Sequence, residues 1–290
     1  MSATVRAAQA PPVLAPRETR DTGAPRHGDP ALSTLAHLID RFDPAAGFDV
    51  PASWRQGRTA FGGLSAALAL QTALRTAPSA LPPLKSAHIW FVGPADATLR
   101  FQAQVLRQGK SATSIAVDCL ADGQAALRAA LLFAQPRPSR IAHDFMPARP
   151  TVGGPEAAAP IAATEFTPAF FANFEMRLAG GSLPVSAASD PELLVWARHR
   201  DARGVDPSVA LVALGDCLPP AAMTAFSAPA PVSSMTWTLD FPQPASAGDW
   251  FLMHSASHHA EDGYSLQDMQ IWDEAGRLVL SGRQTVAIYA

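Results

Sequence analysis

Cysteine is scarce in this sequence: its 290 residues include only Cys119 and Cys217. Two thiols cannot build a disulfide framework, so a reducing cytoplasm is the default compartment. Charge is also scarce, at 16% of residues with a formal net charge of -3. That leaves no basic patch of the kind nucleic acid demands, so no nucleic-acid partner is expected. No run of about 18 apolar residues occurs, so no membrane span is expected. A Gly-x-Ser-x-Gly elbow is missing too, which argues against a serine hydrolase. What is present is a 48% hydrophobic, globular composition, long enough for one large domain or two of moderate size. Residues 1–29 mix Ala, Pro and Arg without the apolar core of a signal peptide, and are expected to form a flexible tail.

Periodicity predicts the elements. Leu32, Leu35, Leu38 and Ile39 have helical spacing, giving a short amphipathic helix over 31–42. Residues 48–54 read as a strand or edge segment broken by Pro51. After Phe61-Gly62-Gly63, residues 64–76 are almost uncharged and rich in Ala and Leu. A helix apolar on every side is a buried helix. From Lys85 the period changes to two, and four strands follow with turn signals at Gln108-Gly109 and Asp122-Gly123. An antiparallel sheet around one apolar helix is the hotdog arrangement.

Six prolines and the pair Gly153-Gly154 mark residues 136–163 as a linker. Beyond it, 174–178 and 192–198 are strand-like, and a second apolar helix is expected over 208–218. Asp206 would be its N-cap, Pro207 its first residue, and Pro219-Pro220 its stop. The remainder repeats the first half: His88 to Pro94 matches Thr238 to Pro244, each with Phe-x-x-Pro, followed by strands and turns in the same order. Spaced self-similarity of this kind marks a duplicated unit. The expectation is an α+β double hotdog of two antiparallel sheets, each wrapped around a buried helix. Its modules would be residues 30–135 and 164–290, with the active site in the second.

Within that repeat, several pieces resemble the type II acyl-CoA thioesterases and the thioesterase-like superfamily. They are Phe61-Gly62-Gly63, His88-Ile89-Trp90-Phe91-Val92-Gly93-Pro94-Ala95-Asp96, Leu106-Arg107-Gln108-Gly109-Lys110-Ser111, Trp196-Ala197-Arg198 and the C-terminal strands. The resemblance implies hydrolysis of acyl-CoA to free acid and CoA, with no cofactor and no metal. It implies three catalytic residues in the second half: Asp216 on the helix, Gln284 on the last strand and Ser234 starting a strand. The family's usual residue at the last position is Thr, and Ser keeps the hydroxyl while losing the methyl that restricts its rotamer.

Two of these positions stand out on the residues alone. Leu278, Leu280, Gln284, Val286 and Ile288 share one parity, so Gln284 sits where a hydrophobic residue belongs; counting from each turn glycine aligns it with Leu131. Asp216 is an ionisable group in an apolar helix, and its carboxyl needs a partner or a raised pKa. Plain structural readings stand beside these. Asp216 can cap the helix end or pair with an Arg, Gln284 can bridge strand backbone, Ser234 can be an ordinary strand-start residue, and Gly62-Gly63 can simply allow tight packing.

The chemistry implied is general-base catalysis by Asp216, or orientation of the water by it. Gln284 and Ser234 would hold that water, while backbone N–H groups of Gly62 and Gly63 polarise the thioester carbonyl. Leu214 and Trp237 would line an apolar channel for the acyl chain. Cys217 is a poor nucleophile beside a carboxylate, and His258 and His259 are adjacent, so their side chains diverge rather than converge on a metal with His254, Glu261 and Asp262. Rival readings are a double hotdog that binds an acyl ligand without turnover, and a hydratase or dehydratase on the same fold. Monomer and homodimer both remain open.

Overall fold

The structure, a computed structural model, describes residues 33–290; the expected tail, residues 1–29, lies outside them. Helix α1 (Leu35–Arg41) begins at Thr34, whose hydroxyl accepts the His37 N–H, and it buries Leu35, Leu38 and Ile39. The expected strand over 48–54 does not form. The chain makes one bridge, Phe48 to Leu99, and a short 3-10 turn, Ala52–Trp54. Pro51 sits between them with no N–H to give a ladder. A two-stranded ribbon of β1 (Arg55–Gln56) and β2 (Thr59–Ala60) leads into α2 (Gly62–Thr76), where every residue from Gly63 to Ala73 is buried.

The strands predicted by alternation follow: β3 (Leu84–Phe91), β4 (Leu99–Gln108), β5 (Ala112–Ala121) and β6 (Gln124–Ala134). Asp122 and Gly123 both have positive φ, 48° and 77°, as a two-residue hairpin turn matched to strand twist requires. The second half holds β7 (Ala159–Pro160), β8 (Phe174–Gly181), β9 (Glu192–His199), α3 (Pro207–Gly215), β10 (Val232–Asp240), β11 (Phe251–Glu261), β12 (Tyr264–Asp273) and β13 (Leu278–Ile288). Asp206 caps α3 by accepting the Ser208 N–H at 2.8 Å. The helix stops at Gly215, earlier than the prolines suggest. The Cys217 N–H bonds the Leu214 carbonyl at 2.9 Å, an i to i+3 closure that ends the α-helical ladder.

The two expected sheets are in fact one. Eleven strands run in the order β4-β5-β6-β3-β10-β13-β12-β11-β9-β8-β7, because β3 and β10 pair antiparallel and so leave neither with an open edge. At the centre of that pairing His88 faces Thr238, with His88 Nδ1 and Thr238 Oγ1 3.4 Å apart. Three ladder irregularities of the first half recur in the second. Lys85 is extra opposite β6 as Met235 is opposite β13. Leu106 is extra opposite β5 as His258 is opposite β12. Ala126 is extra opposite β5 as Val279 is opposite β12. On this register His88 and Thr238 are equivalent positions, and they are each other's partners.

The extra residue Val279 also corrects a parity. A bulge reverses which face the following side chains take. Leu278 therefore lies on the outer face with Trp196, Trp250, Leu252 and Trp272, whereas Leu280 joins the main core. The Pro-rich segment read as a linker packs across that outer face. Trp196 Nε1–H donates to the Gly153 carbonyl at 2.9 Å and Trp272 Nε1–H to Pro147 at 3.2 Å, while Val152 and Ala158 pack on the same cluster. α2 and α3 share the other face, inside a core cluster to which both halves contribute.

Asp206→Ala should remove the α3 cap at a cost of about 1 kcal/mol. A thermal melt should register this as a drop of roughly 2–4 °C without loss of the folded baseline.

Candidate active site

Asp216 is the first residue past α3, at φ -100° and ψ 7°, on the helix C-cap rather than within the helix. Its carboxyl reaches the start of α2. Gln284 Nε2–H donates to Asp216 Oδ1 at 2.8 Å, and the nearby Gly63 backbone amide also favours the anion. A carboxylate at a helix N-terminus also meets the positive end of the helix dipole. These contacts favour the anion, yet burial outweighs them and pushes the pKa up to about 7. Cys217 alongside is pushed up as well, by burial first and by the Asp216 charge second. It stays a thiol and makes no nucleophile.

The two glycines are needed for contact. A Cβ on Gly62 would lie 2.7 Å from Asp216 Oδ2, and one on Gly63 would lie 2.6 Å from the Phe61 ring and 2.7 Å from the Ala213 carbonyl. Both amides belong to the first turn of α2, whose N–H groups have no carbonyl partner within the helix. The Gly62 N–H has no acceptor among the described residues.

Gln284 is 3% exposed and points to the helix side of β13. Its amide continues into a second one: Gln267 Nε2–H donates to Gln284 Oε1 at 2.8 Å, and Gln267 Oε1 accepts the Ala221 N–H at 2.9 Å. Gln267 was not among the residues expected from the sequence. Ser234 pairs with Val286, and directly paired residues project to the same face. The bulge at Met235 thus places Ser234 on the face of Gln284, one ladder step away. Ser234 is partly exposed and has no hydrogen bond to Asp216 or Gln284.

The recurring bulges make the two halves comparable position by position. Ser234 corresponds to Leu84, Gln267 to Ile115 and Gln284 to Leu131, each by the same ladder partners. Leu84, Ile115 and Leu131 are all buried apolar residues. One patch of the sheet is thus hydrocarbon in the first half and polar in the second. Counting from the turn glycines Gly123 and Gly276 sets Gln267 against Ser114, so only the ladder register reveals its match to Ile115.

Trp237 is fully buried and does not line an open channel. Its Nε1–H points to Met269 Sδ at 3.0 Å, and its ring lies 3.1 Å from where a Cβ on Gly215 would be. Leu214 is just as buried and only backs a cleft on the far side of α3. A cleft of about 410 Å3 lies between α3, the loop after β9 and the loop before β11, walled by Leu211, Leu214 and Phe251 and by the polar Arg200, Asp201, Arg203 and Asp249. Asp216, Gln284 and Ser234 are not on its walls. The three histidines considered for metal each face a different carboxylate: His254 Glu192, His258 Asp268 and His259 Glu261.

A raised folded-state pKa means the folded protein binds the extra proton between about pH 4 and 7, so stability should fall as pH rises through that window. Asp216→Asn should flatten this slope, and at pH 8 it should be more stable than wild type by up to about 4 kcal/mol. Urea unfolding at pH 5 and pH 8 measures both.

Comparison with known proteins agrees with this architecture. Residues 50–147 match the acyl-CoA thioesterase N-terminal domain and residues 151–288 the acyl-CoA thioesterase C-terminal domain. No curated protein matches by sequence. Among solved structures, a hot dog fold protein of unknown function from Alicyclobacillus acidocaldarius is 23% identical with a TM-score of 0.75, covering 88% of this chain and 98% of its own. An acyl-CoA thioesterase II from Mycobacterium marinum is 23% identical at TM-score 0.64, covering 79% and 88%. A tesB protein of Mycobacterium avium subspecies paratuberculosis is 20% identical at TM-score 0.69, covering 84% and 91%. These likenesses carry the hotdog fold, and the two domain matches, meeting across nearly all the described residues, place the chain in the acyl-CoA thioesterase family as a thioester hydrolase.

Proposed function

We propose that the protein hydrolyses acyl-CoA with Asp216 as the general base. The observation that carries this reading is the Asp216–Gln284 contact of 2.8 Å at the N-terminus of α2. A carboxylate whose pKa is raised to about 7 is matched to taking a proton from water at neutral pH. Water activated by Asp216 would attack the thioester carbon. The tetrahedral intermediate would collapse by breaking the C–S bond, and the CoA thiolate would recover the proton from Asp216. Gln284 holds the carboxylate in place, and Ser234 is a hydroxyl on the same face within reach of a bound water. The unoccupied Gly62 N–H is the donor suited to the carbonyl oxygen, since it points from the helix end where negative charge is favoured.

The reading extends to the architecture. Three shared bulges and a self-paired centre support a double hotdog, with modules over 30–135 and 164–290 joined by the 136–163 segment. Two buried, unpaired thiols suit a reducing cytoplasm, and an acyl-CoA substrate would place the protein in lipid metabolism.

Thiol release from a panel of acyl-CoAs tests the chemistry. Wild type should turn over, with kcat rising through an acid limb near pH 7. Asp216→Asn should lose at least about a hundredfold in kcat. Gly62→Ala, which drives a methyl into Asp216 Oδ2, should lower kcat more than it raises KM. Equal turnover by wild type and Asp216→Asn would sink the assignment, and binding without release by wild type would favour a non-catalytic acyl carrier.

A further inference from the structure

We infer that Gln267 is a positioning residue, which sets the direction in which the Gln284 amide faces Asp216. The inference rests on the reading of Asp216 as the base and deepens it.

A glutamine amide has two ends of nearly equal shape, one that donates and one that accepts. Beside a carboxylate the difference matters: Nε2–H stabilises the anion, while Oε1 repels it. Nothing in Gln284 itself chooses between them: Trp237 lies across one ladder, Gly282 and Val286 flank it along the strand, and Ser234 makes no hydrogen bond to it. The choice is made two links away. The Ala221 N–H is a backbone amide and can only donate, so Gln267 must present Oε1 to it, as it does at 2.9 Å. The other end of Gln267 is then Nε2–H, which requires Oε1 from Gln284 at 2.8 Å. That leaves Gln284 Nε2–H for Asp216 Oδ1. A peptide group at the start of the 3-10 turn Ala221–Ala225 thus orients the donor at the carboxylate.

Burial makes the relay firm. Gln267 is 2% exposed and Gln284 is 3% exposed, so water does not compete for either amide. A reversed Gln284 would face donor to donor with Gln267 and oxygen to carboxylate with Asp216, leaving two buried clashes of polarity. The corresponding pair in the first half, Ile115 and Leu131, packs as hydrocarbon, so the sheet does not need amides here for its own stability. From α2 the groups facing Asp216 are Gly62 and Gly63, from β3 Phe91, and from its own chain Cys217, a neutral thiol. Among the described residues no cation stands in for the Gln284 donor.

Two variants separate orientation from packing. Gln267→Glu keeps the shape and keeps an acceptor for Ala221, while replacing the donor. While the introduced carboxyl is protonated, its O–H can still donate to Gln284. Once ionised it draws the Gln284 N–H toward itself and turns Oε1 on Asp216. Gln267→Met removes the relay at every pH. The Asp216 carboxyl pKa, followed by infrared difference spectroscopy against Asp216→Asn, should be higher in both variants than in wild type. In turnover, Gln267→Glu should lose about tenfold or more in kcat at pH 8, with KM little changed. Its kcat should peak and fall with rising pH where wild type reaches a plateau. Circular dichroism and melting establish that each variant is folded. An unchanged Asp216 pKa in both folded variants overturns the relay, whether or not acyl-CoA is hydrolysed. A raised pKa in a protein that never releases thiol upholds the relay and rejects Asp216 as a hydrolytic base.

Discussion

A carboxylate sits among apolar side chains and is held by hydrogen bonds rather than by a cation. That is the constraint on which this molecule depends. Asp216 has Gln284 on one side and the Gly63 amide on the other, and neither carries a charge. An arginine at this point would hold the carboxyl as a permanent anion of low basicity. Two neutral donors stabilise the anion only in part, so burial keeps the proton in competition near neutrality. The surrounding fold follows from that balance. α3 must stop at Gly215 so that Asp216 can turn out of the helix, and α2 must begin with residues lacking side chains so that the carboxyl can reach its first turn.

The two halves divide the work. The first supplies the glycine-led N-terminus of a long buried helix and a sheet patch of Leu84, Ile115 and Leu131. The second supplies the carboxyl and replaces the equivalent patch with Ser234, Gln267 and Gln284. The shared bulges matter to this substitution. Met235 resets the phase of β10, so that Ser234 and Trp237, three residues apart, both address the helix side. Without that extra residue the hydroxyl would face away from the amide. On the outer face the halves also differ. Residues 147–158 pack over the tryptophan cluster of the second half, whereas Trp90 on the first remains 52% exposed.

Much of this was legible in the residues. Alternation and turn chemistry located β3 to β6 and β10 to β13 closely, because most of these strands have a distinct buried face and Gly123, Gly263 and Gly276 take the positive φ that their turns need. Asp206-Pro207 announced the start of α3, and a polar residue in an apolar stripe announced Gln284. Other features were not legible for identifiable reasons. A bulge leaves no compositional mark, so Leu278 was assigned to the wrong face. Gln267 lies in a strand with Asp268 and Gln270 nearby, where one more polar residue draws no notice until its partner strand is known.

The sequence by itself determined the repeated order of elements and the presence of a carboxyl and an amide where hydrocarbon belongs. Those are properties of local pattern, which persists along a chain whatever it packs against. Only the tertiary structure decided that β3 and β10 join the halves into one sheet. It alone brought the Asp216 carboxyl against the first turn of α2, and a backbone N–H at Ala221 against Gln267. Each of those depends on groups far apart in the chain meeting within hydrogen-bond distance, and no local period records such a meeting.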